Sequence, residues 1–212
     1  MSAKRNNLME TVKPLKRVAS TTFVGGDFVM NNGLGKVLPL DPNNVVEGLC
    51  LQDINSSSTP NFAVSEELMC DSVIKTVDRF LVDVVGTAAA TMELRTFDIS
   101  SADSGVIDVA PVTLVYGTLS GTFTVGEIVR VTSGAAEGST FVVISDNGST
   151  TMTLQAVNTI GSGDAIDATD TLLGLTSGAT AAVVTAPILP TQFKMEQFIS
   201  ATLCEFSVLR TQ

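Results

Sequence analysis

Asp164, Asp167 and Asp170 fall at every third position, and Gly33-Leu34-Gly35-Lys36 sets two glycines and a lysine in the manner of a phosphate loop. Oxygen-rich loops of the first kind can hold Ca²⁺, and glycine-rich turns of the second kind can cradle phosphate. The aspartate spacing is not that of an EF-hand, and Ala and Thr intervene, so the segment reads as a solvated acidic turn. The glycine pattern fails at its flanks: Met30 stands where the first glycine belongs, and Val37 replaces the Ser or Thr that would hold Mg²⁺. Glu66-Glu67 and the acids from Asp98 to Asp108 read as surface charge. A glycosidase pair would also want an aromatic sugar platform, and the chain has no Trp and a single Tyr, Tyr116. Histidine is absent, which removes Ser-His-Asp chemistry and the commonest zinc sites, and no Gly-x-Ser-x-Gly elbow occurs. Cys50, Cys70 and Cys204 are odd in number and widely spaced, as expected for reduced, buried thiols of a protein assembled in the cytosol. With no imidazole beside any of them they are expected to be chemically silent core residues. The residues thus predict no enzyme, no cofactor and no metal.

Charge is distributed more tellingly than chemistry. Within the first 17 residues Lys4, Arg5, Lys13, Lys16 and Arg17 face one acid, Glu10, giving +4; the remaining seven bases face 21 acids, giving −14. An acidic body repels phosphate backbones, so nucleic acid is not an expected partner of the folded part, and only the basic arm could bind one. No apolar stretch approaches the length of a membrane span, and Lys4 and Arg5 are not followed by the apolar region of a signal peptide, so a soluble, non-exported chain is expected. Pro14 and the lack of any period make residues 1–17 an arm that is extended or disordered when free and able to order on a partner.

The elements behind these residues read as β almost throughout. Asn31-Asn32-Gly33 separates Thr21–Met30 from Lys36–Leu40 as a hairpin, and Val45–Gln52 continues as a strand. Ser65–Val77 has helical spacing at Cys70, Val73, Ile74 and Val77, but its β-branched residues favour two strands with a turn near Asp78. Phe80–Val85 and Thr91–Ile99 read as strands, the latter with Met92, Leu94 and Thr96 on one face. Ser100–Gly105 reads as a turn. Beyond Pro111 the composition turns to Gly, Thr, Ser and Val, with Arg130 the one base before Lys194. Within that stretch Thr-Ser-Gly-Ala occurs twice, at 132–135 and 176–179, and Gly126-Glu127-Ile128-Val129 stands where Asp170-Thr171-Leu172-Leu173 stands, the mark of a duplicated β unit. Asp146-Asn147-Gly148 between two apolar runs is a hairpin signal. Ala201–Leu209 alternates like a strand seeking a sheet in the N-terminal half. The segment 111–186 is therefore expected to be a Gly/Thr-rich β module inserted into a β body of 18–110 plus 187–212.

The order Pro14-Leu15, Phe23 to Gly33, Val46-Glu47-Gly48-Leu49 with Gln52-Asp53, Asp78 to Val84, then Met92 to Asp98 resembles that of tailed-bacteriophage capsid decoration, or cement, proteins. The Gly121–Val131 strand with the two Thr-Ser-Gly-Ala turns is similar to small β modules of phage structural proteins. The resemblance implies an all-β fold with a β-barrel or β-tulip-like body, the inserted module being a small barrel or sandwich. It implies a non-enzymatic virion protein on the capsid exterior, assembled in the host cytoplasm, binding the major capsid protein and forming a homo-oligomer, with a trimer favoured. In that reading Lys4, Arg5, Lys13, Lys16 and Arg17 form a capsid-binding arm, and neither nucleic acid nor membrane is a partner. The competing expectation is a phage tail or fibre component that attaches to a host surface.

Overall fold

The computed structural model describes residues 4–5, 12–18, 21–42, 44–51, 53–54, 67–72, 78–134, 136–158, 166, 168, 170–185 and 192–209. The fold is all-β and contains closed barrels of five and six strands. The chain divides into two compact units, one of Met1–Glu93, Phe97–Val109 and Gln192–Gln212, the other of Leu94–Thr96 and Ala110–Thr191.

The first unit carries two sheets. One has β2 (Val12–Lys16), β3 (Phe28–Asn31), β4 (Val37–Pro39), β5 (Val46–Cys50) and β6 (Glu67–Ser72) in the order β2-β6-β5-β3-β4. Pro14 lies on β2, at the edge, where a residue that cannot donate to a ladder is tolerated. The other has β1 (Lys4–Arg5), β7 (Arg79–Val85), β8 (Thr96–Ile99), β9 (Ile107–Asp108), β16 (Phe193–Ser200) and β17 (Leu203–Val208) in the order β1-β7-β17-β16-β8-β9, and a parallel β7–β9 pairing closes five of these strands. Strands of the first sheet are covered on both faces. Phe28 and Leu49 join the core of Phe80, Phe97, Phe193 and Phe206, while their neighbours Val29 and Cys50 join Phe23, Val37, Ile54 and Cys70 on the other side. Alternation along a strand produces this division directly. Phe28 meets Phe80 edge-on with ring centroids 5.3 Å apart, and Phe193 at 4.8 Å.

Two expectations for this unit fail. Residues 1–17 do not form a free arm where described: Lys4–Arg5 and Val12–Lys16 are strands paired with β7 and β6. A short edge strand needs only backbone partners, so it leaves no period in its side chains. Nor is Thr91–Ile99 one strand. Ala90–Met92 forms a 3₁₀ turn and Leu94 takes φ 66°, so pairing starts at Thr96. The segment at 65–77 contains β6, while residues 73–77 lie outside the described residues.

The second unit is a six-stranded barrel of β10 (Val112–Ser120), β11 (Ile128–Val131), β12 (Thr140–Asp146), β13 (Thr151–Asn158), β14 (Thr171–Gly174) and β15 (Thr180–Thr185), closed in the order β10-β13-β12-β11-β14-β15. All six pair only among themselves. The order is two-fold repetitive: β11-β12-β13 is matched by β14-β15-β10. Val129 pairs with Phe141 as Leu172 pairs with Ala181, and both hairpins alternate half-buried and buried residues in step. Glycine takes a positive φ in both turns, but the Thr-Ser-Gly-Ala copies are not equivalent. Val131 N–H donates to the Ser139 carbonyl as Gly174 N–H donates to the Ala179 carbonyl, and Gly138 N–H donates to the Val131 carbonyl as Gly178 N–H donates to the Gly174 carbonyl. The counterpart of Gly178 (φ 71°) is therefore Gly138 (φ 92°) and not Gly134. The register read from sequence is nevertheless one residue out. Val143 N–H donates to the Glu127 carbonyl as Val183 N–H donates to the Asp170 carbonyl, so Glu127 and not Gly126 is the counterpart of Asp170. The connection after β11, from Val131 to Ser139, is three residues longer than that after β14, from Gly174 to Ala179, so an alignment anchored on Thr-Ser-Gly-Ala slips. Such a slip matters because it would exchange inward and outward residues.

Candidate binding surface

The Asn-Gly hairpin between β3 and β4 is built from its own side chains. Asn31 Oδ1 accepts the Gly33 N–H at 2.9 Å, and Asn32 Oδ1 accepts the Leu34 and Lys36 N–H groups at 2.9 and 3.1 Å. Those donors are therefore committed to asparagine and not offered to phosphate. Gly33 and Gly35 take φ 78° and 74°, and between them Leu34 is 85% exposed. The base of this hairpin lies beside the end of β2, because Arg17 bridges Val37 and the Val18 N–H donates to the Val37 carbonyl at 3.1 Å. Exposed Lys16 and half-buried Lys36 thus stand at the same end of the sheet as Leu34.

Of the five basic residues singled out in sequence, Lys4 and Arg5 form β1, and Lys13 and Lys16 lie on β2. The five are not one tract: β1 and β2 belong to different sheets. Arg17 is a correction, since it is only 2% exposed and cannot serve as a surface contact. It is buried where the end of β2 runs beside β4, at its bridge to Val37. Leu34 was missed, although the Asn-Gly signal that predicted its hairpin also implied that its tip would face solvent.

A second cluster of braced loops lies at one end of the six-stranded barrel, opposite the end where the chain enters β10 and leaves β15. Glu127, 6% exposed, accepts the Thr124 N–H at 2.6 Å, the Thr176 and Ser177 N–H groups at 3.1 and 3.0 Å, and the Ser177 hydroxyl at 2.8 Å. Burial pushes its carboxyl pKa up, but these donors outweigh burial and hold it below the usual value. The carboxylate ties together two turns that expose Val125 and Leu175. Nearby, Asn147 Oδ1 accepts the N–H groups of Ser149, Thr150 and Thr151. Tyr116 is buried and its hydroxyl donates to Asp146 Oδ1 at 2.6 Å; burial first, and the adjacent carboxylate second, push the phenol up to about 12. It is a protonated donor at neutral pH rather than a nucleophile.

The remaining acids divide between core and outside. Asp170 is fully buried, so for that residue the solvated turn is corrected; Asp164 and Asp167 lie outside the described residues. Asp98 and Asp108 are cross-strand neighbours on β8 and β9, and Asp98 Oδ1 accepts the Gln192 N–H at 3.1 Å. Among the described residues no three His, Cys, Asp or Glu side chains come together to hold a metal. No helix among them is long and apolar enough to cross a membrane. The fold and these surfaces define an all-β protein with two closed barrels and braced surface loops. No family model, curated protein or solved structure matches the chain.

Proposed function

We propose that this is a non-enzymatic virion protein that decorates the outside of a phage head, binds the major capsid protein and stabilises the shell, as a homo-oligomer for which a trimer is favoured. The observation that carries the reading is charge segregation, +4 in the first 17 residues against −14 in the rest. Exposed Lys16, from that basic segment, stands with Lys36 beside the exposed, asparagine-braced Leu34 hairpin. A preorganised apolar tip flanked by cations suits an acidic protein surface with an apolar recess, and weak contacts of this kind add up when many copies bind a lattice. The test is to add purified protein to heads assembled without it. A binding plateau proportional to lattice copies supports the reading, and absence of saturable binding refutes it.

A second reading, a tail or fibre component that attaches to a host surface, draws on the barrel end that exposes Val125 and Leu175 among uncharged Ser, Thr, Asn and Gly residues. Adaptable hydrogen-bonding groups around apolar anchors are a common recognition surface. Electron microscopy of the parent particle separates the two readings by where the protein sits.

A further inference from the structure

Cys50 on β5 and Cys70 on β6 are directly opposite in the antiparallel register. Both are fully buried and belong to the same apolar cluster, so their side chains share one face of the sheet. The backbone decides how close they come. Cys50 N–H donates to the Asp27 carbonyl at 2.8 Å, and the Cys50 carbonyl accepts the Gly26 N–H at 2.7 Å. Both polar groups of Cys50 thus point away from β6, towards the chain leading into β3. The Cys50–Cys70 pair is therefore of the non-hydrogen-bonded type, in which opposite Cα atoms lie about 4.5 Å apart and side chains approach most closely. Disulfides span Cα separations of about 4.4–6.8 Å. Cys204 belongs to the other core of the first unit, with Phe80 and Phe206.

We propose that Cys50 and Cys70 are a site of covalent cross-linking, forming a cross-strand disulfide when the chain meets a small-molecule disulfide such as oxidised glutathione. The thiolate of one cysteine attacks the oxidant and releases one of its thiols. The second thiolate then attacks the mixed disulfide and releases the other. Two protein thiols lose two protons and two electrons, and the oxidant is reduced to two thiols. The bond closes the loop between β5 and β6 and locks the middle of the sheet. The chain would be reduced where cytosolic thiols are plentiful and cross-linked in an oxidising exterior. In the structure all three cysteines are free thiols, and the proposal departs from the expectation that they are silent; it stands apart from the reading of function above.

The full chain would be denatured and reduced, then refolded in glutathione buffers of graded redox poise, so that burial of the thiols does not limit access. Remaining thiols would be alkylated and the product mapped by mass spectrometry. The expected product has lost two hydrogens, links Cys50 to Cys70, keeps Cys204 alkylated, and melts about 6–12 °C above the reduced form. A refolded chain with native circular dichroism and all three thiols alkylated, even at the most oxidising poise, would overturn the proposal. So would a linkage through Cys204, or a bridged form melting at or below the reduced one.

Discussion

Gln192 is fully buried, and its side chain links a loop before β5 to the strand β8. Its Nε2 donates to the Asp41 and Asn44 carbonyls at 2.7 and 2.9 Å, and its Oε1 accepts the Ile99 N–H at 2.9 Å. Gln192→Leu keeps the apolar bulk and strands all three backbone groups. A stranded buried partner costs about 1–3 kcal/mol. Asp41 and Asn44 are exposed residues whose carbonyls can regain water, whereas Ile99 is 1% exposed and cannot. The expected loss is therefore about 1–3 kcal/mol, or about 2–12 °C in melting temperature for a chain of this size. Gln192→Glu supplies a control of nearly the same shape. Its carboxylate can still accept from Ile99 but faces two carbonyl oxygens with no proton to donate, so it should be at least as unstable at neutral pH and recover part of the loss in acid. Thermal denaturation followed by circular dichroism reads both variants. If Gln192→Leu stays within about 1 kcal/mol of wild type, below the cost of a single stranded partner, the network is not holding the unit together.

Further outcomes follow from the same structure. Gly174→Ala should destabilise the six-stranded barrel more than Gly178→Ala, because a Cβ at Gly174 would sit 2.5 Å from Ser177 Oγ and 2.8 Å from Glu127 Oε2, while at Gly178 it meets nothing within 4 Å and adds only backbone strain; chemical denaturation ranks the two. Asp27 is raised above the usual carboxylate range by burial, with Asp103 and Asp53 adding to the shift, so its contribution is fully present in acid and is lost as pH rises through its folded pKa. The melting difference between wild type and Asp27→Asn should accordingly favour wild type most at low pH and shrink towards neutrality. Glu127 has the opposite sign: its lowered pKa makes its stabilisation present above the unfolded value of about 4.3 and lost as pH falls through the folded one, a trend that Glu127→Gln should flatten. Leu34→Asp should leave the melting temperature unchanged yet weaken binding to heads about 10- to 100-fold, the worth of one buried leucine; equal binding would remove the hairpin from the interface.

Period-two alternation, β-branched composition and Asn-Gly and Asp-Asn-Gly turns were enough to read an all-β chain, because these signals are local and each is fixed by a few consecutive residues. The repeat of the hairpin was legible for the same reason, but the Thr-Ser-Gly-Ala copies that announced it do not coincide in space, since Gly178 is matched by Gly138 and not by Gly134. Tertiary structure decided what depends on partners distant in sequence. It set Glu127 against Asp170 by hydrogen bonds from Val143 and Val183, overruling a register counted from the turns. It turned the described parts of a basic arm into edge strands, since backbone pairing is indifferent to side-chain pattern, and it buried Arg17 where β2 meets β4. It also gave Gln192 and Glu127 their roles, as no local signal marks a side chain whose partners lie 148 or 50 residues away along the chain. Cys50 and Cys70 show the division most plainly. Their identity is written in the chain, but their juxtaposition exists only because β5 and β6 pair in a register that leaves the backbone of Cys50 facing the other way.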